Sequence, residues 1–288
     1  MIFADLFKNI DIKNDAYAEV FKRLKPVLIQ ELKTSLSMRI LCPSGRKRNP
    51  DLLEKFFDAM YYILETGSQT KRIKEFYGIS KGTFYWYLNW MIEHSILENS
   101  YKNLVRQLPT TNLLITDSFS VKSMQESEGL GRNPVDRGRR GMKVSLICDT
   151  DRVVRGLQIG GANQHDVKLL TKTIEDLPEP NPSELTTILG DSGYVGKRIR
   201  QECRSRNFRL IVKPRRTRKR GKKTHILLKC DAHLLQTKRN LIELLNGNIR
   251  RFRSLMIKWF RRIETYKCFL YLGLLCISCY QIFVKNTH

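Results

Sequence analysis

Asn112-Leu-Leu-Ile-Thr-Asp117 is a short apolar run that ends on a carboxylate, and Leu185-Thr-Thr-Ile-Leu-Gly190 is a second, followed at once by Asp191. Short apolar runs rich in β-branched residues predict buried strands. A charged side chain at the end of such a strand is costly unless it is paired or ion-bound. One aspartate after a strand is usually a turn former or a helix cap. Two in one sheet are more telling, because parallel neighbouring strands would set both carboxylates at the same sheet end. Between them, Met142–Cys148 and Val153–Ile159 read as strands joined by the turn-forming Asp149-Thr-Asp-Arg152. Asp166–Leu177 reads as a helix stopped by Pro178, Val195–Arg206 as another helix, and Phe208–Lys213 as a further strand. The order is β-β-β-α-β-α-β, then helix from about Ala232. It predicts an α/β fold, a mixed sheet flanked by helices.

A third carboxylate is sought by elimination. After Asp191 the acidic residues are Glu202, Asp231, Glu243 and Glu264, among 25 lysines and arginines. Glu202 lies mid-helix among charges and reads as solvated, Asp231 sits where it would cap a helix, and Glu264 precedes an apolar helix. Glu243 shares its helix with Leu241, Ile242, Leu244 and Leu245, and Arg239 is one turn away on the same face. Such a carboxylate can face the sheet and meet Asp117 and Asp191; the competing reading is a solvated helix face. Phosphodiester chemistry gives the cluster a purpose. Two Mg²⁺ ions about 3.5–4 Å apart can activate the attacking oxygen and stabilise the leaving one. Mg²⁺ takes hard oxygen ligands, and the ions offset the repulsion of clustered carboxylates.

The N-terminal region is helical by spacing, as in Ala18, Val20, Phe21 and Leu24. Cys42–Pro50 reads as a turn-rich linker, and Leu52, Phe56, Met60 and Ile63 continue the apolar stripe. The stretch Ser68–Met91 reads as two short helices with a tight turn at Gly78 and Ser80 as N-cap of the second. That is the layout of a helix-turn-helix, with Lys81, Thr83, Tyr85, Trp86 and Asn89 as candidate DNA contacts. A helical hairpin packed on the rest of the protein is the competing reading. The division expected is a helical region at 1–108, DNA-binding through this motif, and a catalytic domain at 109–288.

Composition supports a polyanionic partner. The net charge is +24 with a pI near 9.9, and 41% of residues are hydrophobic, enough for a packed core. Nucleic acid comes first, ahead of an anionic membrane or a ribosomal role. The basic run Lys213–Lys223, with Arg215, Arg216, Arg218 and Lys219, reads as a phosphate-gripping loop. A nuclear targeting signal and a solvated loop remain as alternatives. Seven scattered cysteines predict reduced thiols, with Cys276 and Cys279 as core residues rather than a zinc pair. No signal peptide is expected in residues 1–25. Phe269–Val284 is apolar but shorter than the ~20 residues of a span, so a buried C-terminal helix is expected.

At these residues the chain resembles the DDE transposases of bacterial insertion sequences. Leu113-Leu-Ile-Thr-Asp117-Ser is similar to that family's first Asp block, and Leu189-Gly-Asp191-Ser-Gly-Tyr194 to its second. Gly141-Met-Lys143 and Gly161-Ala-Asn-Gln-His165-Asp166 match its middle portion. Of the signature Tyr-x2-Arg-x3-Glu-x6-Lys, Arg239 and Glu243 match, while Gln236 stands at the Tyr position and Arg250 at the Lys position. The resemblance spans roughly residues 50–284. It implies an RNase H-like fold (retroviral-integrase-like), Asp117, Asp191 and Glu243 as catalytic metal ligands, and Mg²⁺ or Mn²⁺ as cofactor. It also implies double-stranded DNA as partner, at element ends and target, with Lys143, Arg239 and Arg250 as further phosphate contacts. Strand cleavage by water and attack of the freed 3′-OH on target DNA follow. Two ends must be held together, so a homodimer in the synaptic complex is expected. No membrane role is expected, and the location would be cytoplasmic and nucleoid-associated in a bacterium, nuclear in a eukaryote or virus. The alternatives are an inactive, transposase-derived DNA-binding protein, and a structure-specific nuclease or RNA-binding protein on the same fold.

Overall fold

The computed structural model describes residues 2–7, 15–37, 51–109, 111–127, 129–177, 185–215 and 227–284. They form two compact units, one of residues 108–248 and one of 1–107 with 249–288. The helical unit begins with α1 (Ile2–Leu6), α2 (Ala16–Ser37), α3 (Asp51–Thr66), α4 (Ile73–Tyr77), α5 (Lys81–Glu93) and α6 (Ile96–Arg106). Helix α3 buries Phe56, Phe57, Met60, Ile63 and Leu64, the stripe its spacing predicts. Helix α4 ends at Gly78, whose φ of 65° is the left-handed conformation that glycine adopts without strain. Ser80 caps α5, its Oγ accepting from the Thr83 amide at 3.1 Å. The predicted turn between α4 and α5 therefore forms through its own local chemistry.

The α/β unit is built on β1 (Leu113–Ser123), β2 (Gly131–Arg132), β3 (Arg140–Asp149), β4 (Val154–Gly161), β5 (Thr186–Gly190) and β6 (Phe208–Val212). Across this sheet the order is β4-β3-β1-β5-β6, with two-residue β2 also on β3. Strands β1, β3 and β4 pair antiparallel, whereas β5 and β6 join β1 in parallel. Helices α7 (Asp166–Glu175) and α8 (Lys197–Ser205) make the parallel crossovers. One sheet face packs Leu114, Ile147 and Ile188 against Leu170 and Ile174 of α7 and Ile199 and Cys203 of α8. Helix α9 (Lys229–Lys238) contacts β5 and β6, and α10 (Asn240–Arg251) follows it directly.

Two expectations are corrected. Asp117 does not end its strand: β1 continues six residues to Ser123. The alternation of buried Phe119 and Val121 with Ser118 and exposed Ser120 extends it, paired to β3. Its parallel partner β5 does stop, at Gly190, so Asp117 stands where β1 outruns its neighbour. Asp231 lies in the first turn of α9, where it is expected, and its ion-pair partner comes from the sheet. It is 6% exposed and ion-paired to Arg209 at 2.7 Å. The apolar C-terminal helix is longer than Phe269–Val284, and it is buried as expected. After α11 (Arg253–Met256), α12 (Ile263–Cys279) and its π-helical continuation form 22 helical residues, long and apolar enough to cross a membrane. Most of its apolar window is buried: α12 packs among α2, α3, α5 and α6 as the core helix of the helical unit. Cys276 and Cys279 are both buried there, and burial pushes both thiols up.

Candidate active site

The site is built where β5 ends. Strands β1 and β5 pair Leu113 with Thr187, Leu114 with Ile188 and Ile115 with Leu189. Two residues further along each strand stand Asp117 and Asp191. Side chains alternate along a strand, so both leave the sheet on the face opposite Leu114 and Ile188. The turn after β5 fixes Asp191, whose Oδ1 accepts from the Gly193 amide as cap of a short 3-10 turn, Ser192–Tyr194. Asp117 is held inside β1 by its pairing with Leu146 of β3, beyond the last β1 residue that β5 pairs.

Helix α10 supplies the other wall. Asn246, 7% exposed, donates from Nδ2 to Asp117 Oδ2 at 3.0 Å, while its Oδ1 is buried without a hydrogen-bond partner among the described residues. Glu243 lies one turn before it. It is exposed and pairs with Arg239, Nη2 to Oε1 at 3.4 Å. Asp117 registers the whole group. Burial raises its carboxyl above the usual range, the Ser118 amide and the Arg239 charge pull it down, and the negative charges of Asp191 and Glu243 push it up again. Asp191 and Glu243 are thus both within electrostatic reach of Asp117. The three carboxylates are not drawn into a closed ligand set: among the described residues no three His, Cys, Asp or Glu side chains gather closely enough to hold one ion. Asn246 had no signal in the sequence, since an asparagine on a helix carries no spacing or motif information.

A second network lies on the other face of β1. Lys143 Nζ reaches Asp166 Oδ1 at 2.9 Å and the Gln164 carbonyl at 3.0 Å, and Ser118 donates to Asp166 at 2.6 Å. These partners hold the Asp166 carboxyl below its ordinary range, against the opposing effect of burial. Ser118 follows Asp117 directly, so the network braces the strand that carries it. His165 is the N-cap of α7, its Nδ1 accepting from the Val167 amide at 3.3 Å.

The remaining predicted contacts are spread over both units. On α5, Lys81 and Asn89 are exposed, and Thr83 and Trp86 are half-buried. Thr83 bonds the Ser80 hydroxyl at 2.8 Å, Asn89 accepts from Arg262 at 3.3 Å, and Trp86 stacks on Trp90. Tyr85 shares a hydrogen bond with Thr70 at 3.0 Å. Arg215, just beyond β6, and Arg250, seven residues after Glu243 on α10, are exposed. Arg216, Arg218 and Lys219 lie outside the described residues.

Comparison with known proteins gives these features a context. Residues 108–279 match the family model described as the transposase DDE domain. A Burkholderia cepacia protein assigned as a transposase for insertion sequence element IS402 is 28% identical over 157 residues, 52% of this chain and 68% of that protein. Among solved structures, the piggyBac transposase synaptic complex with hairpin DNA superposes at a TM-score of 0.56 and 11% identity, covering 99% of this chain and 74% of that one. The fold is RNase H-like, a mixed sheet flanked by helices and preceded by a helical region.

Proposed function

The chain belongs to the transposase DDE domain family and acts in DNA transposition, and from that premise we propose that Asp117, Asp191 and Glu243 are its acidic triad. The observation that carries this reading is the adjacency of Asp117 and Asp191 at the end of β5, with α10 bringing Glu243 within reach of Asp117. The reaction assigned is hydrolysis of a phosphodiester at the inverted-repeat ends of an insertion sequence, followed by strand transfer.

The residues present fit a divalent cation. They are hard oxygen donors, and a cation would offset the like charges that Asp191 and Glu243 set against Asp117, whose carboxyl is raised chiefly by burial. Asp117, Asp191 and Glu243 would hold Mg²⁺ or Mn²⁺. When bound, such ions polarise the phosphodiester and lower the pKa of an attacking oxygen. The protein's own part is positional. Strand β1 and the capped turn at Asp191 fix two carboxylates, Arg239 orients Glu243 along α10, and Asn246 fills the Asp117 oxygen with an N–H donor.

The α/β unit carries the chemistry, and the helical unit binds duplex through the exposed side of α5 with Lys81, Thr83, Trp86 and Asn89. Lys143, Arg215, Arg239 and Arg250, with Arg216, Arg218 and Lys219 of the basic run, neutralise phosphates. Two copies hold two element ends as a homodimer, which light scattering of the protein–end DNA complex would reveal.

The test is nicking of a duplex bearing the element's terminal repeat in Mg²⁺. Asp191→Asn should lower the rate by about a hundredfold or more, since each ~1.4 kcal/mol of lost transition-state stabilisation is a factor of ten and metal ligands supply several. Unchanged nicking in a folded Asp191→Asn protein would remove Asp191 from the mechanism.

A further inference from the structure

A groove of about 230 Å³ runs beside β6, lined by Arg200, Arg204, Arg209, Leu210, Leu228 and Asp231, among others. Strand β6 is the sheet's edge, pairing with β5 alone among the described residues. Helix α8 brings Arg200 and Arg204 to the groove, β6 brings Arg209, and α9 brings Asp231. Charge is unbalanced there. Asp231 is taken by Arg209 at 2.7 Å, which leaves two guanidinium groups without a counter-ion in the groove among the described residues. Arg200 Nε is buried with no hydrogen-bond partner among the described residues. A buried N–H of a charged group is costly to leave unsatisfied, and an anionic oxygen is what would satisfy it.

We propose that this groove is a phosphate-binding subsite that takes a backbone phosphodiester of DNA outside the cleavage site. Arginine's planar fork matches phosphate oxygens in pairs, while Leu210 and Leu228 offer apolar surface for the adjoining sugar. Placement favours a phosphate of the same DNA that is cut. Val212, which also lines the groove, pairs with Gly190, the residue before Asp191. Strands lie about 4.8 Å apart, so the groove's near end is on the order of 10 Å from the carboxylates. This rests on the DNA-acting reading above, although not on cleavage itself.

The experiment measures the affinity of the full chain for a mixed-sequence DNA duplex as a function of salt. Wild type is compared with Arg204→Gln and with the double variant Arg200→Gln/Arg204→Gln. Losing one phosphate contact should reduce the slope of log affinity against log salt by about 0.9. Arg204→Lys should retain most of the wild-type slope. Because Arg204 is exposed, its single variant carries the test if the double variant folds poorly. An unchanged slope in folded variants overturns the proposal. A second arm titrates inorganic phosphate, followed by ³¹P line broadening. If the variants lose that binding but keep the duplex slope, the groove takes a small anion and not DNA, which also overturns it. Nicking is assayed in parallel: variants that show the slope change, with a wild-type protein that never nicks end DNA, would sink the catalytic reading and leave the subsite standing. A wild type that binds no duplex would sink both.

Discussion

Asn246 Nδ2 lies 3.0 Å from Asp117 Oδ2 and donates to it, so a helix amide occupies a carboxylate oxygen proposed to face a metal ion. Hydrogen bonds to charged groups contribute roughly 1.5–3 kcal/mol, and this one favours the charged form of Asp117 against the burial that raises it. Asn246→Asp should reverse it. Without divalent ions the variant should lose about 2 kcal/mol, a melting shift of about 4–8 °C. Added Mg²⁺ or Mn²⁺ should stabilise it more than wild type, because a fourth carboxylate then faces the cation. Melts with EDTA and with each ion check this; equal ion-induced shifts in both proteins would refute a cation site at Asp117.

The contrast between Asp191 and Asn246 marks how far the sequence could be read. Asp191 was legible because a β-branched run stops immediately before it, and strand ends are written in local pattern. Ser80 and Gly78 were legible for the same reason, each making its own cap or turn. The continuation of β1 past Asp117 was hidden because Ser118 and Ser120 look like loop residues until β3 pairs with them. Asp231 was legible as a residue of a helix's first turn, but its ion pair was hidden because Arg209 is 22 residues away. The burial of α12 was legible in its unbroken apolar run, but which helices bury it, α2, α3, α5 and α6, was not, since no local pattern names distant partners.

The Lys143–Asp166 pair makes a pH prediction. Its folded carboxyl is held below the unfolded value near 3.9. The pair's stabilisation is therefore fully present above pH ~4 and is lost as pH falls through the lower folded value. The side chains are 15% and 34% exposed, so screening leaves about 1 kcal/mol. Asp166→Asn should lower stability by about that amount at neutral pH and flatten the acid limb of the curve. Urea titrations from pH 2 to 7 read both, and an acid limb identical to wild type would refute the pairing.

Glu65 behaves oppositely. Burial first, then a hydrogen bond to Asp15 and repulsion by its charge, push its carboxyl up to about 7 from a usual 4.5. A raised folded pKa gives stability that is fully present below the unfolded value and is lost as pH rises through the folded one. Stability of the helical unit should thus decline between pH ~4.5 and 7. Glu65→Gln, which keeps a hydrogen bond to Asp15 without the charge, should remove that decline. Melting temperatures across this window check it; a variant that still declines would place the titrating group elsewhere.

Two glycines near the carboxylates should respond in opposite directions. A Cβ on Gly190 would lie 3.1 Å from Tyr194 Cδ2, 3.2 Å from Thr116 Cγ2 and 3.3 Å from Val212 Cγ1. Three close-packed walls cannot all give way, so Gly190→Ala should destabilise by about 1–3 kcal/mol. The shift passes directly to Asp191, so nicking measured well below the melting temperature should fall as well. A Cβ on Gly247 meets nothing within 4 Å, and alanine there should stabilise α10 by about 0.5–1 kcal/mol. Because Gly247 adjoins Asn246, a Gly247→Ala protein that is more stable yet nicks normally would show that α10 acts as a rigid support for the site. One that is more stable but slower would show instead that the helix must move during the reaction.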